Sequence, residues 1–141
     1  MRDLANHLHL KRAISPAAAV ADNTPIVSQI IDRSGYEKLV FAILLGALAD
    51  ADATFTVLLE HGDAANLSDA AAVPDAQLTG TEALASFTFA DDDKVRKIGY
   101  VGPRRYVRLT ITPAGNAGNA FIAAVAILAA GRYGPTPNPP V

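Results

Sequence analysis

A chain of 141 residues, half of them apolar, fits one domain that buries roughly 70% of its extended-chain surface on folding. It contains no cysteine, which excludes a disulfide framework, a thiolate metal site and a cysteine nucleophile and suits a reducing cytoplasm or a particle assembled in one. The net charge is −2 and acids outnumber bases, a poor balance for a protein that holds nucleic acid through its phosphates.

In chain order, residues 1–23 read as an N-terminal arm. The first seven residues lack the continuous apolar run of a signal peptide. Leu4 and Leu8 have the spacing of one helical turn, but Pro16 follows and no second turn of contacts exists. Such an arm is expected to be disordered or to lie on another chain.

Residues 26–32 and 38–45 are β-rich runs flanking Arg33-Ser34-Gly35-Tyr36, which predicts a hairpin. The second run is apolar at nearly every position, so both of its faces are expected to meet protein. Residues 53–60 alternate, with Phe55, Val57 and Leu59 on one face and Thr54, Thr56 and Glu60 on the other, a strand half exposed to water. A long polar loop follows over 61–82, with a short strand near 71–73. Residues 84–89 predict another strand with Phe87 and Phe89 inward.

Asp91-Asp92-Asp93 turns into a run at 94–101, and Gly102-Pro103-Arg104-Arg105 is expected to close a hairpin into 106–112. There Val107, Leu109 and Ile111 face in, the clearest alternation in the chain. Residues 120–128 mix helix-favouring alanines with Phe121, Ile122, Val125 and Ile127; glycine-rich flanks and the strand just upstream favour a buried strand. The apolar run over 120–130 is too short to cross a bilayer as a helix, and no membrane association is expected. Residues 131–141 hold four prolines and predict an extended, polyproline-like tail.

The expected fold is all-β: a seven- to eight-stranded antiparallel sandwich or jelly roll over 24–130, with an extended N-terminal arm and a Pro-rich C-terminal tail. Twenty-eight residues are alanine, so the core must come from a few Ile, Leu, Val and Phe positions. Charge is segregated along the chain. Residues 47–93 carry ten acids and no Lys or Arg, whereas 94–108 carry six bases and no acid. That pattern describes either solvated loops beside one basic hairpin or a surface with distinct patches for a complementary partner.

Chemistry is sparse. His7 and His9 have a chelating spacing, but His61 is the one further histidine, and a closed metal site is hard to build from these. Asp91, Asp92 and Asp93 with Asp50 and Asp52 could offer carboxylates to calcium, yet the closing Glu of a calcium loop is missing. No nucleophile elbow, phosphate-binding glycine loop or metalloprotease helix occurs. No enzyme, cofactor or metal is expected. Lys94, Arg96, Lys97, Arg104, Arg105 and Arg108 interleave with Tyr100 and Tyr106 like a basic-aromatic sheet face, but the acidic balance argues against direct nucleic-acid binding.

Several stretches together carry a resemblance: residues 31–37 (Ile-Asp-Arg-Ser-Gly-Tyr-Glu), residues 46–56, Leu78-Thr79-Gly80-Thr81, residues 97–102 (Lys-Ile-Gly-Tyr-Val-Gly) with Arg105-Tyr106-Val107-Arg108, and residues 121–128. Over about 27–128 the chain resembles small structural proteins of tailed bacteriophages, and among them it is most similar to the jelly-roll cement (decoration) proteins. The resemblance implies a non-enzymatic virion protein on the capsid exterior, assembled in the bacterial host cytoplasm. Its partners would be the phage major capsid protein, whose subunits it would bridge, and a second copy of itself in a homodimer. Contacts are then expected from the arm (Arg2, Leu4, Leu8, Leu10, Lys11, Arg12), the basic hairpin (Arg96, Arg104, Arg105) and the tail (Arg132, Tyr133, Pro135, Pro137). Two other readings stand beside it. One is a virion-surface carbohydrate- or receptor-binding sandwich using Tyr36, Tyr100, Tyr106 or Tyr133; the other is a head-completion or tail ring subunit.

Overall fold

The computed structural model describes residues 2–137. Two antiparallel sheets pack face to face in a jelly-roll-like sandwich. The first holds β1 (His9–Ile14), β11 (Ala120–Gly131), β4 (Tyr36–Leu48), β9 (Val95–Tyr100) and β7 (Leu78–Thr79), side by side in that order. The second is built on β10 (Tyr106–Ala114) and β5 (Thr54–Gly62). Short β2 (Ile26–Val27) and β3 (Ile31–Asp32) lie along β10, while β6 (Ala71–Ala72) and β8 (Phe87–Thr88) lie along β5. Among the described residues six strands are long and five have two residues each, where seven or eight strands are expected from the sequence.

Period-two alternation builds the core. Phe41, Ile43 and Leu45 of β4, with Ala124, Ala126 and Leu128 of β11, point inward from the first sheet. Val107, Leu109 and Ile111 of β10, with Phe55, Val57 and Leu59 of β5, point inward from the second. Large side chains alternate with alanines across the ladder: Phe41 stands in register between Ala126 and Ile98. That interleaving lets an alanine-rich chain fill its interior.

Neither expected hairpin forms. β3 pairs with β10 and β4 with β11, so the turn at 33–35 is an arch from one sheet to the other. Residues 101–105 likewise carry the chain from β9 in the first sheet to β10 in the second. The strand upstream of β11 is not its partner either; β11 pairs with β1 and β4. Polar glycine-containing turns signal a reversal of direction, and a reversal between layers has the same local chemistry as one within a layer.

The second arch is pinned by a polar cluster. The Tyr100 hydroxyl accepts from the Arg104 backbone N–H at 3.0 Å, which leaves its own proton for His61 Nδ1 at 2.8 Å. The Arg33 guanidinium lies over the Tyr100 ring, 5.3 Å from its centroid. A Cβ on Gly102 would stand 2.6 Å from the Tyr100 hydroxyl, so only glycine fits that turn. Burial holds the His61 pKa below its ordinary value of 6.5, with the Arg104 charge adding to the effect. A histidine whose folded pKa is depressed takes up its proton more readily when unfolded, so its share of stability is intact above about pH 6.5 and declines as pH falls below that. The urea midpoint should therefore drop between pH 7.5 and pH 5, less steeply in His61→Gln; parallel slopes would refute the assignment. Tyr100→Phe leaves both partners of the hydroxyl unmet and should cost about 1–3 kcal/mol.

Other corrections concern local elements. Residues 82–85 form a helical turn, because the Thr81 hydroxyl caps it by accepting from the Leu84 N–H at 3.1 Å. Phe87 is buried and stacks on Phe55 with ring centroids 5.0 Å apart. Phe89, expected inward, opens a 3-10 turn and is 42% exposed.

The ends depart furthest from expectation. Within the first 23 residues, β1 is the edge strand of the first sheet, paired with β11 from His9↔Leu128 to Ile14↔Ala124. The chain then straps around one end of the sandwich. Val20 exchanges two backbone hydrogen bonds with Ala120, and the Asn116 side-chain amide donates to the carbonyls of Val20 and Asp22. The tail folds back as well. Thr136 is buried, donating through its N–H to the Asn6 carbonyl at 3.0 Å and through its hydroxyl to the Leu8 carbonyl at 2.6 Å. Residues 2–14 and 131–137 thus close on one another, in place of the free arm and extended tail expected; Met1 and the last four residues lie outside the described residues.

Candidate functional site

The outward face of the five-stranded sheet carries a set of exposed apolar side chains over which no other element of the described residues is layered. Alternation that sends Phe41, Ile43 and Leu45 inward sends Val40, Ala42 and Leu44 outward. Register then aligns them across strands: Leu10, Ile127, Val40, Gly99 and Thr79 in one row, Arg12, Val125, Ala42 and Lys97 in the next, Ala123, Leu44 and Val95 in a third. Phe121 extends the surface past the last row. Leu10, Leu44, Val95, Phe121 and Val125 are each 39–59% exposed. With strands about 4.8 Å apart and like-facing residues about 6.8 Å apart, the apolar area is on the order of 300 Å², the size of the largest apolar patch on an ordinary small protein, which is often a functional one.

A groove of about 550 Å³ opens in this face, with Val40, Gly99 and Ile127 on its floor and Leu8, Lys38, Lys97, Thr79, Val101 and Ala129 around it. Its charge is distinctive. Arg96 and Lys94 pair with Asp91, Arg104 with Asp63, Arg105 with Asp32 and Arg108 with Glu60. Arg12, Lys38 and Lys97, the cations of the outward face, have no carboxylate partner among the described residues. The Arg12 guanidinium donates to the Ser15 hydroxyl at 3.0 Å.

The residues expected to make contacts are scattered. Leu8 and Leu10 do reach this face, and Arg12 stands on it. Lys11 points to the other side of β1 and donates to the Asp32 carbonyl at 2.9 Å. Arg2 and Leu4 are exposed at the start of the chain. Arg96 is held by Asp91 at 2.6 Å, and Arg105 binds both Asp32 oxygens at 2.9 Å while lying over the Tyr106 ring. Arg104 is engaged by Asp63. The expected basic patch is thus largely neutralised within the chain, and these arginines hold Asp32 and Asp63 below the usual carboxylate range. Arg132, Tyr133, Pro135 and Pro137 line a separate hollow with Tyr36 at the closed end of the molecule. Sequence does not reveal this face, because a continuous apolar run such as those of β4 and β11 describes a strand covered on both sides and one covered on one side equally well.

The other candidate chemistry is dispersed. His7 bonds the Asp3 carbonyl, His9 the Tyr36 hydroxyl and His61 Tyr100. Asp50 and Asp92 accept from backbone N–H groups, as Asp91 also does beside its two cations. Among the described residues no group of three metal-type ligands assembles, and no helix is long and apolar enough to cross a membrane. Tyr100 is buried and Tyr106 lies on the opposite sheet, so the four tyrosines do not form one stacking platform.

No protein-family model matches the chain, and no curated protein matches it in sequence. Similar solved structures include the SPBc2 prophage-derived protein YomS, at 8% identity over 86% of this chain and 91% of that one, TM-score 0.48. The xylan-binding module CBM15 is similar at 14% identity over 93% and 95%, TM-score 0.45. Xylanase10C from Cellvibrio japonicus, solved with xylopentaose, is similar at 17% identity over 91% of this chain, TM-score 0.49; this chain spans 28% of that one. The likeness is one of chain path, too loose to carry a ligand or partner across.

Proposed function

We propose that this protein is a non-enzymatic structural component of a phage virion that binds the outside of the capsid and stabilises it by bridging major capsid protein subunits. The observation that carries the reading is the open apolar face of the five-stranded sheet. A patch of this size is often functional on a small protein, and here it is laid out on one flat sheet face with cations at its edges, the composition of an interface centre with a polar rim. The resemblance over about 27–128 supplies the virion, and the face supplies the means of attachment in place of the arms. A lattice of many identical sites would let modest contacts add by avidity. Pairing of two copies through this face is disfavoured, since it would gather two sets of Arg12, Lys38 and Lys97 in one interface, with Glu37 as the carboxylate at the groove rim.

The test is co-sedimentation of the purified protein with phage heads that lack it, together with the temperature at which those heads rupture. Saturable binding and a raised rupture temperature are the expected results. Absence of binding to heads, with specific capture of a glycan on an array, would replace this reading by the carbohydrate-binding one.

A further inference from the structure

From the groove over Gly99 we infer the chemistry of the occupant: an apolar side chain carried on an acidic segment of a partner protein, with carboxylates on both sides of the anchor. The inference rests on the reading of this face as a docking surface, and it does not require that the partner be a capsid protein.

Gly99 creates the depression. It faces outward between Val40 on β4 and Thr79 on β7, and a Cβ there would stand 3.0 Å from the Thr79 Cβ. Glycine at this position both lets β7 pair closely and removes a side chain from the row, so Val40 and Ile127 are left as an apolar floor. Lys38 precedes Val40 by two residues and Lys97 precedes Gly99 by two. Because β4 and β9 are antiparallel, the two lysines stand on opposite sides of the row, one strand step of two residues away in each direction. Neither has an ion-pair partner among the described residues, although five other cations of this chain do. Glu37 also reaches the rim without pairing with either lysine.

Apolar floor and paired cations select against the other classes of occupant. A sugar would need stacking rings or a polar floor, and here the floor is aliphatic, with the polar groups at the rim and the Tyr100 ring buried. A nucleic-acid strand would use the cations and leave the floor unfilled. An acidic segment with an aliphatic or aromatic anchor uses both, with the buried anchor supplying affinity and the carboxylates supplying register and steering.

Two probes test this. A 12-residue peptide of alternating Asp and Leu is titrated into the full chain with backbone amide shifts recorded, and the same measurement is made on Lys38→Glu/Lys97→Glu. Both lysines are exposed, so the variant keeps the fold. Shifts confined to Val40, Gly99, Val101 and Ile127, with about a tenfold or greater loss in the variant, are expected. An alternating Lys/Leu peptide should prefer the variant. Equal affinity of wild type and variant for the acidic peptide, or no binding to either, overturns the inference, as does an oligothymidylate that displaces the peptide. Head co-sedimentation separates the two readings. Heads bound equally by wild type and variant, with the acidic peptide bound by neither, leave the capsid reading standing and remove this one. A peptide seated in the groove of a protein that ignores heads does the reverse.

Discussion

A chain beginning at residue 15 is expected to lose its cooperative fold. The deleted segment contains β1, which contributes the buried Ala13 and Ile14 and a register of five residue pairs against β11. Burying one isoleucine is worth about 1.5–3 kcal/mol, and each net hydrogen bond adds about 1 kcal/mol. The sum is on the order of 5 kcal/mol, comparable with the whole stability of a small domain. The loss is compounded by what remains. Without β1, the edge of β11 from Ala124 to Leu128 is uncovered, and an unpaired edge of Ala, Val, Ile and Leu is a template for aggregation. Urea unfolding of the truncated and full chains measures this. A truncated chain that stays monomeric with an unchanged midpoint would show that the first 14 residues are an appendage.

The difference between arm and edge strand shows where local pattern stops carrying information. Strands β5 and β10 were legible because Phe55-x-Val57-x-Leu59 and Val107-x-Leu109-x-Ile111 alternate against a polar face. β1 carries the same period in a weak form. His9, Lys11 and Ala13 alternate with Leu10, Arg12 and Ile14, and the bulge between Arg12 and Ile14 shifts the phase, so neither register marks a buried side. The turn residues were recognised correctly as turns. Whether Arg33-Ser34-Gly35 returned the chain to the same sheet depended on β10, some 70 residues later, and no local signal encodes that distance. Site legibility failed for a related reason. An apolar outer face and an apolar inner face give one continuous run in sequence, and the number of layers over it becomes known only when the fold is complete. The lysines that flank the groove were visible, but their lack of partners followed from the placement of Asp32, Asp63 and Asp91 beside other cations.

Phe41→Ala and Leu44→Ala, three positions apart on β4, separate the two faces of that strand energetically. Phe41 is fully buried, in register between Ala126 and Ile98. One of those neighbours is already a methyl group and cannot expand into the vacated space, so the cavity persists and the substitution should cost about 3–5 kcal/mol. Leu44 is 58% exposed on the outward face, and its truncation should change stability by no more than about 0.5 kcal/mol. Denaturant midpoints read the first difference, and binding to heads reads the second. Phe41→Ala, where it still folds, should bind as wild type does once corrected for the folded fraction, while Leu44→Ala should bind more weakly at unchanged stability. Equal destabilisation by the two substitutions would mean that Leu44 is covered within the protein's own fold, and the outward face would then be a second core and no docking surface.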